Sequence, residues 1–137
     1  MKVVSLDLHA EASQVLVTDE NGEALMEERI PTDPQQLRRI VDSIPGEKCV
    51  VFEEGPLSVL VRDALEGVAE KVISSDPAHN ALIARDECSN DERDAKHLQT
   101  LLRADAIRSV YIPREPYLSL RSVLKHRLTT NRTATAM

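Results

Sequence analysis

Polar and apolar residues alternate at the start of the chain, over residues 2–9, and this period of two predicts a β-strand. Two further runs rich in Val, Leu, Ile and Met, over residues 13–19 and 24–30, predict two more strands. The Asn21-Gly22 pair between them is typical of a type I′ hairpin turn, in which both central residues take positive φ. We therefore expect a three-stranded antiparallel meander.

Helical and extended patterns alternate in the middle of the chain. Thr32-Asp33-Pro34 is a helix start with a capping residue and an early proline, and Pro45-Gly46 ends that helix. The continuous apolar run over residues 48–53 predicts a strand covered on both faces. Gly55-Pro56 leads into a second helix, followed by segments that predict a fifth strand and a short helix, residues 70–75 and 78–85.

The last third of the chain contains two helical patterns. Ser89-x-x-Glu92 has the form of a capping box, so the next helix is expected to begin there, with a buried stripe of Ala95, Leu98, Leu101 and Leu102. Residues 107–112 predict a short strand or an extended connector. A basic helix is expected from Pro116, and residues 129–137, which lack apolar periodicity, are expected to form a disordered tail.

This order of elements predicts an α/β fold with a mixed sheet and helices on both faces, resembling the ribonuclease H architecture. Asp7 would then share a strand face with Ser5 and His9, which we expect to be the open side of the sheet. We assign residues 1–113 to the domain itself and residues 114–137 to the basic helix and the tail.

Composition narrows the class of protein. A chain of 137 residues is one ordinary domain, and with 2% aromatic residues its core must be aliphatic, which argues against aromatic stacking platforms for single-stranded bases. Cys49 and Cys88 are isolated and the four histidines are scattered, which argues against a zinc site and is typical of free thiols in a reducing cytoplasm. No signal peptide and no membrane span are expected. Charged residues interrupt every apolar run long before it reaches the roughly 18 residues that a membrane span needs.

Charge is unevenly distributed. Residues 106–137 hold six basic residues and one acid, Glu115, whereas the rest of the chain holds 11 basic and 22 acidic residues, giving a net charge of −6. An acidic body is not a general polyanion binder, but the basic C-terminal segment could contact phosphate. A solvated helix face is the favoured explanation of that basic run.

Five acidic residues lie within or at the ends of predicted elements. Asp7 lies in an apolar strand, Glu53 and Glu54 end another strand, and Asp91 and Asp94 lie three apart on a helix. Such carboxylates could hold two hard divalent cations and support phosphodiester chemistry. Each also has a structural explanation: acids in a first helical turn favour the helix dipole, and acids at strand ends are commonly solvated.

The motifs around these acids resemble one family closely, the N-terminal domain of the DEDD transposases of bacterial insertion sequences, IS110 group. The motifs are Leu6-Asp7-Leu8-His9, Val51-Phe52-Glu53-Glu54-Gly55-Pro56-Leu57, Ser75-Asp76-Pro77-Ala78-His79-Asn80-Ala81-Leu82-Ile83 and Asn90-Asp91-Glu92-Arg93-Asp94-Ala95. The resemblance spans nearly the whole chain.

This resemblance implies a RuvC-like fold within the ribonuclease H class. It implies that Asp7, Glu53, Asp91 and Asp94 coordinate Mg²⁺, or Mn²⁺, at a site of DNA strand exchange. The family has one acid in the second motif, where this chain has two; Glu53 is favoured because it directly follows the apolar run, with Glu54 in reserve. The implied partner is DNA, together with a guide RNA in the members that use one.

The family's enzymes are far longer and carry a second domain with a nucleophilic serine. Nothing in this sequence corresponds to that domain, so we expect a truncated catalytic domain that cannot complete strand exchange alone. The basic helix from Pro116 resembles the start of the linker between the two domains.

Two other functions stay open at the level of sequence. A stand-alone RuvC-like nuclease would act on branched nucleic acid without needing the serine. A non-catalytic remnant would bind partner chains through the C-terminal helix, whose Leu120, Val123, Leu124 and Leu128 could form a coiled-coil seam between copies, although packing into the core is the favoured interpretation of that stripe. A sugar-kinase-like nucleotide site is disfavoured, because four glycines provide no glycine-rich phosphate turn.

Overall fold

The structure, a computed structural model, describes residues 1–83 and 91–136. Within these residues the strands are β1 (Lys2–Asp7), β2 (Ala12–Thr18), β3 (Ala24–Pro31), β4 (Lys48–Glu53) and β5 (Lys71–Ser75). The helices are α1 (Pro34–Asp42), α2 (Ser58–Leu65), α3 (Pro77–Ile83), α4 (Asp91–Arg103) and α5 (Tyr117–Ala136). The strands form one mixed sheet in the order β3-β2-β1-β4-β5, as the sequence predicts for an α/β fold of the ribonuclease H type.

The expected meander is present, but its hairpin turn differs from the prediction. Strand β2 pairs antiparallel with both β1 and β3. The type I′ turn is wrong, because Gly22 has a φ of +88° whereas Asn21 stays at negative φ. The carboxylate of Asp19 instead organises the loop, accepting from the backbone N–H groups of Asn21 at 2.8 Å and Glu23 at 2.9 Å. An aspartate that hydrogen-bonds the following backbone offers the chain an alternative to the two-residue turn.

The other half of the sheet is parallel. Strand β4 lies beside β1, with Leu6 opposite Phe52, and β5 lies beside β4. The side chains of Val51 and Phe52 point to opposite faces and are both fully buried, so β4 is covered on both faces as predicted.

Helices α1 and α2 cover one face of the sheet. The N-terminus of α1 is set as expected, because the side chain of Asp33 accepts from the backbone N–H of Gln36 at 3.0 Å and Pro34 occupies the first turn. The buried side chains Leu37 and Val61 join the aliphatic core against this face of the sheet.

Helix α4 covers the opposite face, which corrects the expectation that this side of the sheet is open. Leu98 packs against Val3 and Val51, and Ser5 is fully buried. The pattern of β1 alone does not reveal which helix packs across it. The predicted stripe of α4 is confirmed, with Ala95, Leu98 and Leu101 buried and Leu102 partly buried. The capping box at Ser89 lies outside the described residues.

The segment after α4 pairs with the edge of the sheet at one residue, and helix α5 follows it. Ser109 forms an isolated antiparallel bridge with Ser75, so residues 107–112 act as an extended connector along β5. Helix α5 then continues to Ala136, where a disordered tail was expected. A helix can form without apolar periodicity, and here the hydroxyls of Thr129 and Thr130 each donate to a carbonyl one turn earlier, at 3.0 Å.

Helix α5 leaves its apolar stripe uncovered. The exposed fractions of Leu120, Val123, Leu124 and Leu128 lie between 51% and 64%, so the interpretation of this stripe as core packing is wrong. Across the described ranges, every helix is too short or too polar to traverse a lipid bilayer.

Candidate functional site

Two of the predicted carboxylates stand side by side at one edge of the sheet. Asp7 is the last residue of β1 and Glu53 is the last residue of β4. These strands are parallel neighbours with Leu6 opposite Phe52, so the next residue of each strand emerges at the same carboxyl edge. Side chains at the carboxyl ends of parallel strands are the usual place for ligands in open α/β sheets.

A third carboxylate comes from helix α4. The buried Ala95 and Leu98 hold this helix against the sheet, and Asp94, one residue before Ala95, is left half-buried at the rim. Asp7, Glu53 and Asp94 line a single cleft of about 350 Å³. Three acids separated by up to 87 positions in the sequence therefore line the same cleft.

Asp91 is the first residue of α4, one turn before Asp94, so the two share a helix face as the sequence predicts. The side chain of Asp91 lies outside the described part of the structure. Its predicted role as the third acid therefore remains a prediction.

The two candidates for the second acid have different surroundings. The carboxylate of Glu53 accepts a hydrogen bond from the side-chain amide of Asn80, with 3.1 Å between Oε2 and Nδ2. Glu54 also lines the cleft, and its backbone N–H donates to the carbonyl oxygen of Ser75 at 2.8 Å. Glu53 is thus the one of the two whose carboxylate is held by a buried residue.

Asp7 has a partner of its own at the mouth of the cleft. Its Oδ2 lies 2.9 Å from Nε2 of His9, and only 16% of the Asp7 side chain is exposed. His9 is half-exposed and lines the same cleft.

Sequence reasoning missed two polar residues near these acids. His97 lines the cleft and lies one turn after Asp94; its Nε2 is buried and has no hydrogen-bond partner among the described residues. The spacing of three from Asp94 could have placed it on the same helix face. Asn80 lies in a motif of the resemblance, but nothing in its sequence position indicates contact with Glu53.

The donors around the cleft fit a hard divalent cation in chemistry, because carboxylate oxygens are the ligands that Mg²⁺ and Mn²⁺ prefer. Among the side chains that the structure describes, which exclude that of Asp91, no three of His, Cys, Asp or Glu are grouped tightly enough to hold an ion by themselves. Asp7, Glu53 and Asp94 accordingly surround the cleft without meeting at one point. Asp91 is the remaining member of the predicted set.

A second groove, of about 570 Å³, adjoins the cleft. It runs between the start of α2 and helix α5, and it shares Glu54, Gly55 and Pro56 with the carboxylate cleft. Its other wall carries the basic residues Arg121 and Lys125. The acidic cleft therefore opens directly onto a positively charged surface.

Comparisons with known proteins bear on the family and the fold of the chain. The model of the DEDD transposases of the IS110 group, whose description is "Transposase", matches residues 4–137. Among solved structures, T. thermophilus RuvC in complex with a Holliday junction substrate is similar, with a TM-score of 0.52 and 13% sequence identity, covering 80% of this chain and 99% of that one. This likeness shows a RuvC-like fold. No curated protein sequence matches the chain significantly.

Proposed function

The chain belongs to the DEDD transposases of the IS110 group, and we propose that its cleft is a divalent-cation site that acts on DNA phosphodiesters. The carboxylates proposed as ligands are Asp7, Glu53, Asp91 and Asp94. The observation that carries this proposal is that Asp7, Glu53 and Asp94, from β1, β4 and α4, line one cleft.

Each of these residues has a defined task in the proposed site. Asp7 and Glu53 extend from the ends of paired strands, which fixes their backbones against each other. Asp94 is set by the packing of α4. When bound, Mg²⁺ or Mn²⁺ would lower the pKa of the attacking group and neutralise charge on the phosphate. The protein supplies the placement, so loss of any one acid is expected to weaken the site.

The partner that fits the surroundings of the cleft is DNA. Arg121 and Lys125 line one wall of the adjoining groove and can contact phosphates of a strand that continues from the cleft into the groove. RuvC, which has the same fold, was solved with a Holliday junction substrate. The positive charge of the groove attracts the phosphates of RNA as well as those of DNA. Tighter binding of single-stranded RNA than of DNA would therefore support a guide RNA as a second partner.

We further propose that this chain supplies only the metal-dependent part of recombination and associates with a second copy through α5. The exposed stripe of Leu120, Val123, Leu124 and Leu128 supports self-association, because such an apolar helical face is rarely left in water. A DNA strand-transfer assay tests the first point. Robust transfer by this chain alone would contradict it.

Titration of Mg²⁺ or Mn²⁺ into the protein tests the metal site. The comparison is with the double variant Asp7→Asn, Asp94→Asn, which preserves side-chain size while removing two charges. We expect the cation to bind the unaltered protein and to bind the variant at least 10-fold more weakly. Equal affinity for the two proteins would refute the proposed site.

Cutting of a four-way junction without strand transfer would instead favour a stand-alone nuclease.

A further inference from the structure

Asn80 is buried behind the carboxylate cleft. It lies in α3, only 3% of it is exposed, and its side-chain Nδ2 is within hydrogen-bond distance of two acceptors. One is Oε2 of Glu53 at 3.1 Å and the other is Oγ of Ser75 at 3.0 Å. The amide thus joins α3, the end of β5 and the end of β4.

The surroundings fix which end of the amide faces Glu53. The hydroxyl of Ser75 donates its proton to the carbonyl oxygen of Phe52, at 3.1 Å, so towards Asn80 it can only accept. The carboxylate of Glu53 also accepts. Both neighbours therefore require the nitrogen of the Asn80 amide, and rotation of the amide by 180° would lose both hydrogen bonds.

This orientation leaves the other end of the amide unsatisfied. The Oδ1 of Asn80 is buried and accepts no hydrogen bond from the described residues. Buried acceptors are nearly always paired in folded proteins, and unpaired ones are concentrated where function demands a particular arrangement.

The contacts form a closed chain around Glu53. Phe52, whose carbonyl accepts from Ser75, directly precedes Glu53, and Asn80 connects Ser75 back to the Glu53 carboxylate. The backbone before Glu53 and the carboxylate at its end are therefore held by the same two side chains. The conformations open to the Glu53 side chain are reduced.

We propose that Asn80 is a positioning residue that presets the carboxylate of Glu53 for the cation and so selects Glu53 over Glu54 as the second acid. This inference rests on the proposed function, since it requires Glu53 to be a ligand. Partners of metal-binding carboxylates commonly orient them in this way, and their loss lowers metal affinity by about 10-fold to 100-fold.

A double-mutant cycle on Mn²⁺ affinity, measured by electron paramagnetic resonance of the free ion, tests the proposal. The proteins are the unaltered chain, Asn80→Ala, Glu53→Ala and the double variant. We expect Asn80→Ala to weaken binding about 10-fold in the unaltered chain and to have no effect once Glu53 is absent. An equal effect in both backgrounds, or no effect in either, would overturn the role of Asn80.

Failure of the inference is distinguishable from failure of the proposed function. If Glu53→Ala itself leaves Mn²⁺ affinity unchanged, Glu53 is not a ligand and the proposed site is wrong at this position. If Glu53→Ala weakens binding and Asn80→Ala does not, only the positioning role is wrong.

A matched control separates positioning from general loss of structure. Asp76→Ala removes the side-chain acceptor of the Ala78 N–H at the start of α3, at 3.0 Å, without touching Glu53. We expect it to destabilise the protein and leave Mn²⁺ affinity unchanged. A loss of affinity equal to that of Asn80→Ala would assign Asn80 a structural role alone.

A measurement without any change at Asn80 keeps the inference testable if that variant does not fold. The side-chain amide of Asn80 gives its own nitrogen–proton signals in nuclear magnetic resonance. We expect these signals to shift in Glu53→Gln and again when Mg²⁺ is added to the unaltered chain. Signals that stay in place in both experiments would refute the contact as a functional one.

Discussion

The side-chain amide of Gln99 donates to the carbonyl oxygen of Val3 at 3.1 Å, from helix α4 to the start of strand β1. The same nitrogen donates to the carbonyl of Leu16 on β2, also at 3.1 Å, and the Gln99 oxygen accepts from the hydroxyl of Thr18. This buried amide therefore joins α4 to two strands. Because Asp94 is on the same helix, Gln99 also determines where that acid stands at the cleft.

Replacement of Gln99 by leucine is expected to destabilise the protein. The change keeps the size of the side chain but leaves the buried groups that Gln99 contacts without their partner, which costs about 1–3 kcal/mol. Urea unfolding measures this as a lower midpoint at unchanged slope. Thr100→Ala is the control, because Thr100 is exposed and bonds only to Lys96 of its own helix. Equal midpoints for the two variants would contradict the role given to Gln99.

Removal of the basic groups beside the cleft is expected to weaken DNA binding. Arg121→Ala and Lys125→Ala each delete one proposed phosphate contact in the groove. The slope of log affinity against log salt concentration should fall by roughly 1 for each. Arg132→Ala, an exposed arginine further along α5, is the matched control. Fluorescence anisotropy at several salt concentrations gives the slopes, and a slope unchanged from the unaltered protein would place DNA elsewhere.

A charge on the apolar stripe of α5 is expected to dissociate the proposed oligomer. Leu124 is 51% exposed, and Leu124→Glu would place a carboxylate in the seam between two copies. Light scattering after size exclusion should then report a monomer. Leu25→Glu makes the same change at a leucine that is 54% exposed on β3, and it should leave the mass unaltered. If the unaltered chain is itself monomeric, self-association through α5 is wrong.

Glu70 is expected to make the stability of the protein depend on pH. Its carboxylate accepts from the backbone N–H of Lys48 at 2.6 Å, and this hydrogen bond, followed by one from its own backbone N–H, lowers the pKa of Glu70. A lowered pKa means that the stabilisation is complete above the ordinary glutamate value of about 4.3 and is lost as the pH falls through the value in the folded protein.

The measurement is a comparison of urea unfolding for the unaltered protein and Glu70→Gln, which keeps an acceptor oxygen but removes the charge. The difference in free energy of unfolding should be largest at about pH 7 and should vanish at about pH 2. Glu47→Gln, an exposed neighbour, reports the effect of removing a surface charge. A difference that does not change with pH would show that the charge of Glu70 is irrelevant.

Strand order was sufficient to predict that Asp7 and Glu53 would meet. Both follow apolar runs, and parallel neighbours end at the same edge of a sheet, so their proximity depends on backbone pairing alone. Helix α4 was predictable as an element from its stripe, but the strand face it covers was not, because Ser5 and Asp7 give no polar signal strong enough to distinguish a covered face from an open one.

The contact between Asn80 and Glu53 was beyond reach of the sequence for a different reason. It depends on the rotamers of two side chains that are 27 positions apart in the sequence. It also depends on the hydroxyl proton of Ser75, which is donated to Phe52 and leaves Ser75 only able to accept from Asn80. The prediction of a type I′ turn at Asn21 failed for a similar reason. The local sequence pattern is typical of a hairpin, but the hydrogen bond to the carboxylate of Asp19 gives the turn a different geometry. Local periodicity fixes elements, whereas hydrogen bonds between side chains select among the arrangements those elements allow.

The parallel pairing of β1 with β4 also has a consequence for synthesis of the chain. Asp7 leaves the ribosome well before its neighbour Glu53 and the helix that carries Asp94, because they follow it along the chain. Pairing between distant segments must await closure of the intervening chain. The acids of the nascent chain are therefore still apart, and the carboxylate cleft forms only once the sheet and α4 are complete.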